Sequence, residues 1–308
     1  MTVDVCFVEL LADRRNHLRR PPVGVSLSDI RAAASAFLRP APGPVVSSVE
    51  AMTIRRPNGT RLAMRVYRPS VGKALPTVVF CHGGGFVFGD LDTHDAICRA
   101  MAVRSGCIII AVDYRLSPEE PFPAAIEDCV AVIDWLMRAP AAFGASPGAP
   151  AIAGDSAGAN IAIGSALTLR DRDCRLRHVA LLYPVIDPAC GSPSMREFGS
   201  GYMLTREAMQ WFWECYLTAS SGQLDARAAP MRADVRGFPP ATIVTAEYDP
   251  LRDEGEAFAE HLRKGGGRVQ LQRYSGMIHG FAGMPQLTPV ALQAIDVIAQ
   301  AVGGSGHL

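Results

Sequence analysis

A serine flanked by glycines lies at the junction of an apolar strand and an apolar helix, and this arrangement restricts the possible folds. Residues 149–163 read Ala-Pro-Ala-Ile-Ala-Gly-Asp-Ser-Ala-Gly-Ala-Asn-Ile-Ala-Ile, and Gly154–Gly158 fit the pattern Gly-x-Ser-x-Gly. In this pattern the serine lies on a sharp strand-to-helix turn with its hydroxyl exposed. Glycine removes side chains that would collide with neighbouring backbone on either side of the turn. Because so short a pattern also occurs by chance, the surrounding sequence has to decide the role of Ser156.

Short apolar strands alternate with helical segments from Pro76 onward. The strands that we predict there are Thr77–Cys81, Ile108–Val112, Ala149–Ala153, Val179–Tyr183, Thr242–Thr245 and Val269–Tyr274. Two earlier strand-like runs, Val49–Arg55 and Arg61–Tyr67, flank Pro57-Asn58-Gly59 and predict a β-hairpin. Strands that are apolar on both faces indicate a mostly parallel sheet covered on both sides. We therefore predict an α/β fold with a mostly parallel central sheet and helices on both faces.

Two helical regions lie outside this alternation. In residues 1–45, Ser26 and Asp29 can cap a helix, which the prolines and glycine at positions 40–44 end. The stretch between the strands ending at 183 and beginning at 242 is too long for a simple crossover, and there Thr205 can cap a helix. That helix carries one apolar stripe of Met209, Phe212, Trp213, Tyr216 and Leu217. We predict N-terminal cap helices in residues 1–45 and a catalytic domain in residues 46–308, with a cap insertion at about 188–225.

The charge balance disfavours several classes of partner. Thirty Lys and Arg side chains balance thirty Asp and Glu side chains in 308 residues. There is therefore no electrostatic reason to expect nucleic acid or an anionic membrane surface as a binding partner. The longest aliphatic run, near Ile108–Val112, is far shorter than the ~18–20 residues of a membrane-spanning helix. Asp4 and Glu9 interrupt the apolar N-terminus, which argues against a secretory signal. We expect a cytoplasmic protein without stable membrane insertion. Formation of a homodimer stays open as a possibility.

The eight cysteines are scattered along the chain, with no Cys-x-x-Cys pair and no histidine-rich companion. Zinc ligation and a disulfide framework are therefore poorly supported, and reduced, mostly buried thiols are the expected state. We predict no metal site.

A serine hydroxyl becomes an effective nucleophile when a base takes its proton and an acid orients that base. Asp249 and His279 each lie just past a predicted strand, and the carboxyl ends of parallel strands are where such sheets place their sites. Asp253 and Glu247 compete with Asp249 for the role of the acid. We favour Asp249 because it is nearest the strand end and precedes a proline that can start the next helix. The predicted catalytic residues are Ser156, Asp249 and His279.

Attack on a carbonyl also requires donors for the oxyanion that forms. The segment His82–Phe86 reads His-Gly-Gly-Gly-Phe and directly follows a predicted strand. Backbone N–H groups of this loop, which no side chain hinders, can serve there, and the N–H of Ala157 at the start of a helix is the other donor. We expect His82 to brace this loop by hydrogen bonding, since the triad already contains its base.

Several other residues of catalytic type receive structural interpretations. Asp113, Arg115 and Glu119 follow a strand that is distant in order from the triad, so we expect ion pairs and hydrogen bonds from them. His94 and Asp95 open a predicted helix, where helix capping is a sufficient explanation. We assign none of the five to the reaction.

Five segments in register resemble the signature series of the bacterial hormone-sensitive-lipase family of esterases. They are His82–Phe86, Asp113–Glu119, Gly154–Gly158, Asp249–Asp253 and His279–Phe281, and the match extends from about Val49 to about Gly283. The resemblance implies an α/β-hydrolase fold with a helical cap, hydrolysis of carboxylic esters, and no metal or organic cofactor. It also implies these roles: Ser156 as nucleophile, His279 as base, Asp249 as orienting acid, and an oxyanion hole from Gly83, Gly84 and Ala157.

The resemblance further suggests a small-molecule ester substrate with a short to medium acyl chain. Three alternatives stay open. The same triad could cleave amides or lactones, or the scaffold could serve as a small-ligand receptor, against which the presence of His279 counts strongly. A lipase that acts at lipid interfaces would need an exposed apolar lid.

Overall fold

The computed structural model describes residues 2–38, 42–56, 58–217 and 224–303. The strands are β1 Ser48–Arg55, β2 Arg61–Arg68, β3 Thr77–Cys81, β4 Ile108–Val112, β5 Ala151–Asp155, β6 His178–Leu182, β7 Ala241–Tyr248 and β8 Val269–Ile278. The helices are α1 Val8–Ala12, α2 Leu27–Leu38, α3 Asp95–Ser105, α4 Ala124–Arg138, α5 Ala157–Asp171, α6 Pro193–Phe198, α7 Arg206–Tyr216, α8 Arg252–Lys264 and α9 Val290–Gly303. Short 3-10 turns lie at Val5–Phe7, Arg14–Asn16, Pro140–Phe143, Pro230–Arg232 and Phe281–Gly283.

The eight strands form one sheet in the order β1-β2-β4-β3-β5-β6-β7-β8. β2 is antiparallel to both β1 and β4, whereas all neighbours from β4 to β8 are parallel. The predicted α/β fold with a mostly parallel sheet is therefore confirmed. Because β3 and β5 are neighbours, the loop after β3 and the turn after β5 leave the sheet side by side.

Helices cover both faces of the sheet, which explains why a central strand such as β4 is apolar at every position. In β4, Ile108 and Ile110 join the core that also contains residues of α4, α5 and α8, while Ile109 joins the core formed with α3 and α9. All three side chains are at most 1% exposed. Burial of each contributes about 1.5–3 kcal/mol to folding.

The last two strands extend beyond their predicted ends. β7 continues to Tyr248 and β8 to Ile278, with a register shift between them near the end of β7. The extension places Asp249 and His279 directly after the final residues of two adjacent strands. The two candidate catalytic side chains therefore lie next to each other at the carboxyl ends of these parallel strands.

The two predicted helix caps are present. Ser26 Oγ accepts a hydrogen bond from Asp29 N at 3.1 Å at the start of α2, and Thr205 Oγ1 accepts one from Ala208 N at 3.1 Å at the start of α7. Thr205 Oγ1 also donates to the carbonyl of Leu18 at 2.6 Å. One side chain therefore both starts α7 and ties it to the N-terminal segment.

Arg115 and Glu119 form ion pairs, in agreement with their predicted structural role. Arg115 Nε lies 3.0 Å from Oδ2 of Asp128, a carboxylate that is almost completely buried. Arg31 Nη2 of α2 lies 2.7 Å from Glu119 Oε2, and Arg31 Nε donates to the carbonyl of Val87 at 2.8 Å. The second cluster attaches α2 to the loops that follow β3 and β4.

Several predicted features lie outside the described residues, namely Pro40, Pro57, positions 218–223 of the predicted insertion and most of the glycine-rich tail. Among the residues that are described, no helix is long and apolar enough to cross a membrane. All eight cysteines fall inside the described ranges, and each is a free thiol.

Candidate active site

Ser156 occupies the sharp turn between β5 and α5. Its backbone has φ 53° and ψ −120°, a positive φ that residues with a Cβ rarely adopt. A methyl group on Gly154 would lie 2.4 Å from the carbonyl oxygen of Gly158, and one on Gly158 would lie 2.1 Å from that of Cys81. Both glycines are therefore required for the turn to close against the neighbouring backbone.

Side chains that follow three strands meet at this turn. Ser156 Oγ lies 2.9 Å from His279 Nε2, and His279 Nδ1 lies 2.8 Å from Asp249 Oδ2. The second oxygen of the buried carboxylate, Asp249 Oδ1, accepts from Leu251 N at 2.8 Å. Because a carboxylate can only accept, Nδ1 of the ring carries the proton and Nε2 is left to accept from the serine hydroxyl. The three residues predicted as catalytic thus form one hydrogen-bonded series.

Asp253 and Glu247, the competing candidates for the orienting acid, face other partners. Asp253 Oδ2 accepts from Ser194 N at 2.8 Å, and Glu247 Oε2 accepts from Gly276 N at 2.8 Å. Of these three carboxylates, the one bonded to the histidine ring is that of Asp249.

The glycine loop after β3 corrects one predicted oxyanion donor. Gly83 N–H donates to Asp155 Oδ1 at 2.8 Å, so this hydrogen is already bonded inside the protein. Gly84 and Gly85 line the cavity above Ser156, whereas Gly83 does not. Within the described ranges, the N–H groups of Gly84 and Gly85 have no backbone or side-chain acceptor. The free amides of the loop therefore lie one position later than the sequence suggested.

His82 braces the glycine loop, as predicted. Its Nδ1 lies 2.8 Å from the carbonyl oxygen of Gly83, and its ring stacks on Tyr114 with 4.2 Å between ring centres. The Tyr114 hydroxyl donates to the carbonyl of His82 at 2.7 Å. Burial and the neighbouring His94 ring lower the pKa of His82 to about 4. The ring is therefore neutral at physiological pH, and Nδ1 can donate its hydrogen to the loop.

The capping role predicted for the His94 side chain is wrong. His94 precedes α3 but makes no side-chain capping bond. Its Nε2 instead lies 3.2 Å from Gly83 N and 3.3 Å from Asp155 Oδ1. His94 and Asp155 are therefore neighbours of the glycine loop that were not predicted from the sequence. For Asp155 a signal was available, because β3 and β5 are adjacent parallel strands, and the end of β5 therefore lies beside the loop that follows β3.

Comparison with known proteins identifies the family. The profile of the family described as the alpha/beta hydrolase fold matches residues 78–283. The carboxylic ester hydrolase LipN of Mycobacterium tuberculosis is 40% identical over 280 residues, which are 86% of this chain and 73% of LipN. The ethyl acetate hydrolase of Pseudomonas putida is 35% identical over 251 residues, 80% of this chain and 79% of its own. An ester hydrolase from the metagenome of Lake Arreo, solved with a derivative of bipyridine phosphonate, superposes with a TM-score of 0.90 at 35% identity and covers 98% of both chains. This chain belongs to the hormone-sensitive-lipase-like esterases of the α/β-hydrolase fold.

The protein is thus a carboxylic ester hydrolase, and the resemblance that its motifs suggested is confirmed. The esterase has a cavity of about 360 Å³ that reaches both Ser156 and His279. Its apolar lining includes Ile97 of α3 and Ile295 of α9. It also includes side chains of the N-terminal region, of the segment around α7 and of the loop after β8: Leu10, Leu18, Phe37, Met203, Leu204, Met209, Phe212, Met284 and Leu287. A pocket of this size and character suits a small molecule with an apolar chain.

Proposed function

We propose that this esterase hydrolyses esters with short to medium acyl chains through an acyl-enzyme formed on Ser156. The observation that carries the proposal is the hydrogen-bonded series from Ser156 Oγ to His279 Nε2 at 2.9 Å and from His279 Nδ1 to Asp249 Oδ2 at 2.8 Å. A histidine held in this tautomer can accept the serine proton, and the buried carboxylate stabilises the imidazolium that results.

In the acylation half of the reaction, Ser156 Oγ attacks the ester carbonyl carbon while His279 Nε2 takes the hydroxyl proton. The carbonyl oxygen becomes an oxyanion in the tetrahedral intermediate. His279 then gives its proton to the alcohol oxygen, the carbon–oxygen bond to the alcohol breaks, and the acyl group remains on Ser156. In deacylation a water molecule takes the place of the alcohol, and collapse of the second intermediate releases the carboxylic acid and returns the proton to Ser156.

We assign the oxyanion to the backbone N–H groups of Gly84, Gly85 and Ala157. Gly84 and Gly85 support this assignment because they line the cavity. Ala157 is the first residue of α5, a helix of 15 residues, so its N–H has no acceptor within the helix and lies at the positive end of the helix dipole. Loss of one such donor typically lowers turnover by about 10²–10³-fold.

We further propose that residues 1–45 and about 188–225 form a cap that shapes the acyl pocket. Leu18 from the first region and Phe212 from the second line the same cavity, and the hydrogen bond from Thr205 Oγ1 to Leu18 O joins the two regions at 2.6 Å. The apolar lining and the volume of about 360 Å³ favour an acyl chain of short to medium length.

A series of p-nitrophenyl esters of rising chain length tests the proposal. We expect the wild-type protein to prefer short to medium chains, and Ser156→Ala to lower kcat by on the order of 10⁶-fold because the nucleophile is gone. Ser165→Ala is the matched control, since Ser165 is a buried serine of α5, the helix that follows Ser156, and does not line the cavity. Near-normal turnover by Ser156→Ala would refute the mechanism.

Amides and lactones are the alternative substrates for the same triad. Matched p-nitroanilides and lactones, assayed beside the esters, separate these activities from ester hydrolysis. A kcat/KM on the anilide equal to that on the ester would change the substrate class while leaving the assignment of Ser156 intact.

A further inference from the structure

The carboxylate of Asp155 lies between the nucleophile turn and the glycine loop. Asp155 directly precedes Ser156, and its side chain is nearly buried. Its Oδ1 accepts from Gly83 N at 2.8 Å. A methyl group on Gly83 would lie only 2.5 Å from Asp155 Oδ2, so the carboxylate packs directly against the loop that carries Gly84.

His94 completes this contact from the start of α3. Its Nε2 lies 3.2 Å from Gly83 N and 3.3 Å from Asp155 Oδ1. The other ring nitrogen, Nδ1, lies 2.9 Å from Thr93 Oγ1. The ring is therefore held at both nitrogens, and one of them faces both the amide and the carboxylate.

The hydrogens in this network can be assigned from their partners. Thr93 Oγ1 carries one hydrogen and donates it to the carbonyl of Asp90 at 2.9 Å. The contact with His94 Nδ1 therefore uses a hydrogen on the ring. Nε2 of a neutral ring then accepts from Gly83 N–H, and Nε2 of a protonated ring donates to Asp155. In either state His94 fixes the groups that hold the glycine loop.

Burial opposes the negative charge of Asp155, but the facing His94 ring and the Gly83 N–H outweigh it and hold the pKa of the carboxyl below its usual value. The carboxylate is thus ionised at neutral pH and accepts a strong, charge-assisted bond from the loop amide. Such a bond fixes the loop more firmly than a neutral acceptor would.

We propose that Asp155 and His94 are positioning residues for ester hydrolysis. They tie Gly83 to the nucleophile turn and so keep the N–H groups of the next two residues at a fixed position relative to Ser156. The inference rests on the proposed function, because it concerns the donors that we assign to the oxyanion. Asp155 reaches both parts of the site at once, since it is bonded to Ser156 through the chain and to Gly83 through its side chain.

Other contacts hold the loop to the fold independently of this pair. The Tyr114 hydroxyl donates to the carbonyl of His82 at 2.7 Å, and Phe88 N donates to the carbonyl of Gly84 at 3.0 Å. Variants at Asp155 and His94 should therefore keep the fold, while the glycine loop moves relative to Ser156. A misplacement of about 1 Å can lower turnover by about 10²-fold.

The experiment compares His94→Ala, Asp155→Ala and Asp155→Asn with wild type. The measured quantities are kcat and KM for p-nitrophenyl butyrate, the inhibition constant of a trifluoromethyl ketone, and the thermal midpoint. The ketone forms a tetrahedral adduct with the serine and places an oxyanion among the donors. His261→Ala is the matched control, because His261 bonds the carbonyl of Ala233 from α8 and does not line the cavity.

We expect kcat to fall by about 10²-fold in Asp155→Ala and His94→Ala, with KM changed little and ketone affinity reduced in parallel with kcat/KM. Asp155→Asn should recover most of the activity, within about tenfold of wild type, because its amide oxygen still accepts from Gly83 N–H. A merely structural role would lower the thermal midpoint and leave kcat and ketone affinity unchanged.

Wild-type kcat in folded His94→Ala would overturn the inference, and so would equal loss of activity in Asp155→Asn and Asp155→Ala. If Asp155→Ala does not fold, His94→Ala and Asp155→Asn still decide the question. Failure of the proposed function looks different, because Ser156→Ala would then retain activity. An inactive Ser156→Ala beside fully active His94→Ala would reject only the positioning role.

Discussion

Asp249 has two carboxylate oxygens, and each accepts a hydrogen bond from a different part of the chain. Oδ1 accepts from Leu251 N and Oδ2 from the ring of His279, both at 2.8 Å. The side chain is fully buried, so neither donor can be replaced by bulk water. The first bond fixes the carboxylate, and the second selects the tautomer of the histidine.

Asp249→Asn should therefore lower kcat by about 10⁴-fold with little change in fold. The asparagine oxygen can keep the bond from Leu251 N, which leaves its NH₂ group facing the histidine. The ring proton then moves to Nε2, where it blocks acceptance from Ser156. The measurement is kcat for p-nitrophenyl butyrate, beside Asp253→Asn as a control at the neighbouring acid. Equal losses in the two variants would contradict the role of Asp249.

The triad could be predicted from the sequence because each member directly follows a strand and the strands could be recognised from their apolar runs. The donors were harder to predict. Whether the N–H of Gly83 or that of Gly85 is free depends on the acceptor at Asp155 Oδ1, which comes from a strand 72 positions away in the chain. Periodicity and motif spacing carry no information about such a partner.

At the scale of elements, α7 forms one wall of the cavity. Its buried side chains are Ala208, Met209, Phe212, Trp213 and Tyr216, so the predicted apolar stripe faces inward except for the half-buried Leu217. Phe212 lies directly over the glycine loop, since a methyl group on Gly85 would lie 2.5 Å from its ring. The same ring meets Phe88 edge-on with 5.5 Å between centres.

Phe212→Ala should shift the ester preference toward longer acyl chains, because it opens the cavity above Gly85. The measurement is the ratio of kcat/KM for p-nitrophenyl octanoate to that for the butyrate, which should rise relative to wild type. Gln210→Ala is the matched control on the exposed side of α7. An unchanged ratio in Phe212→Ala would show that the acyl chain lies elsewhere.

Element boundaries also set limits on prediction. The composition of β7 and β8 predicted the central residues of both strands but not their last residues. The two strands pair with each other, and this pairing extends both of them past their most apolar stretches. The role of His94 was missed for a related reason. A histidine before a helix is a reasonable cap on local grounds, and only the tertiary contact with the glycine loop shows where the ring lies.

At the scale of the whole molecule, stability depends on an ionisable group beneath the sheet. Glu254 of α8 accepts from Ile186 N at 2.7 Å and from Asp187 N at 3.3 Å. Its second oxygen, Oε2, has no partner among the described residues. Burial raises the pKa of Glu254 well above its usual value despite the two backbone donors. The folded protein therefore holds this proton at pH values where the unfolded chain has released it.

Glu254 should consequently destabilise the fold increasingly as pH rises above about 4.5, by up to about 1.4 kcal/mol per pH unit. Glu254→Gln removes this dependence while keeping an oxygen for the Ile186 amide. We expect the thermal midpoint of the variant to exceed that of wild type at pH 8 and the difference to shrink toward pH 5. The exposed Glu260→Gln on the same helix serves as control. A difference that is constant with pH would argue against a buried proton.

The backbone of Ser156, with φ 53° and ψ −120°, has a consequence for how variants of this protein would be selected. A side chain in such a conformation typically costs about 1–3 kcal/mol, and glycine would relieve it without disturbing the helix that follows. A library screened for folding or heat resistance alone would therefore enrich glycine at position 156, and its most stable members would be inactive. Selection for stability in this esterase has to be coupled to an assay of turnover, because at this one position the two demands choose different residues.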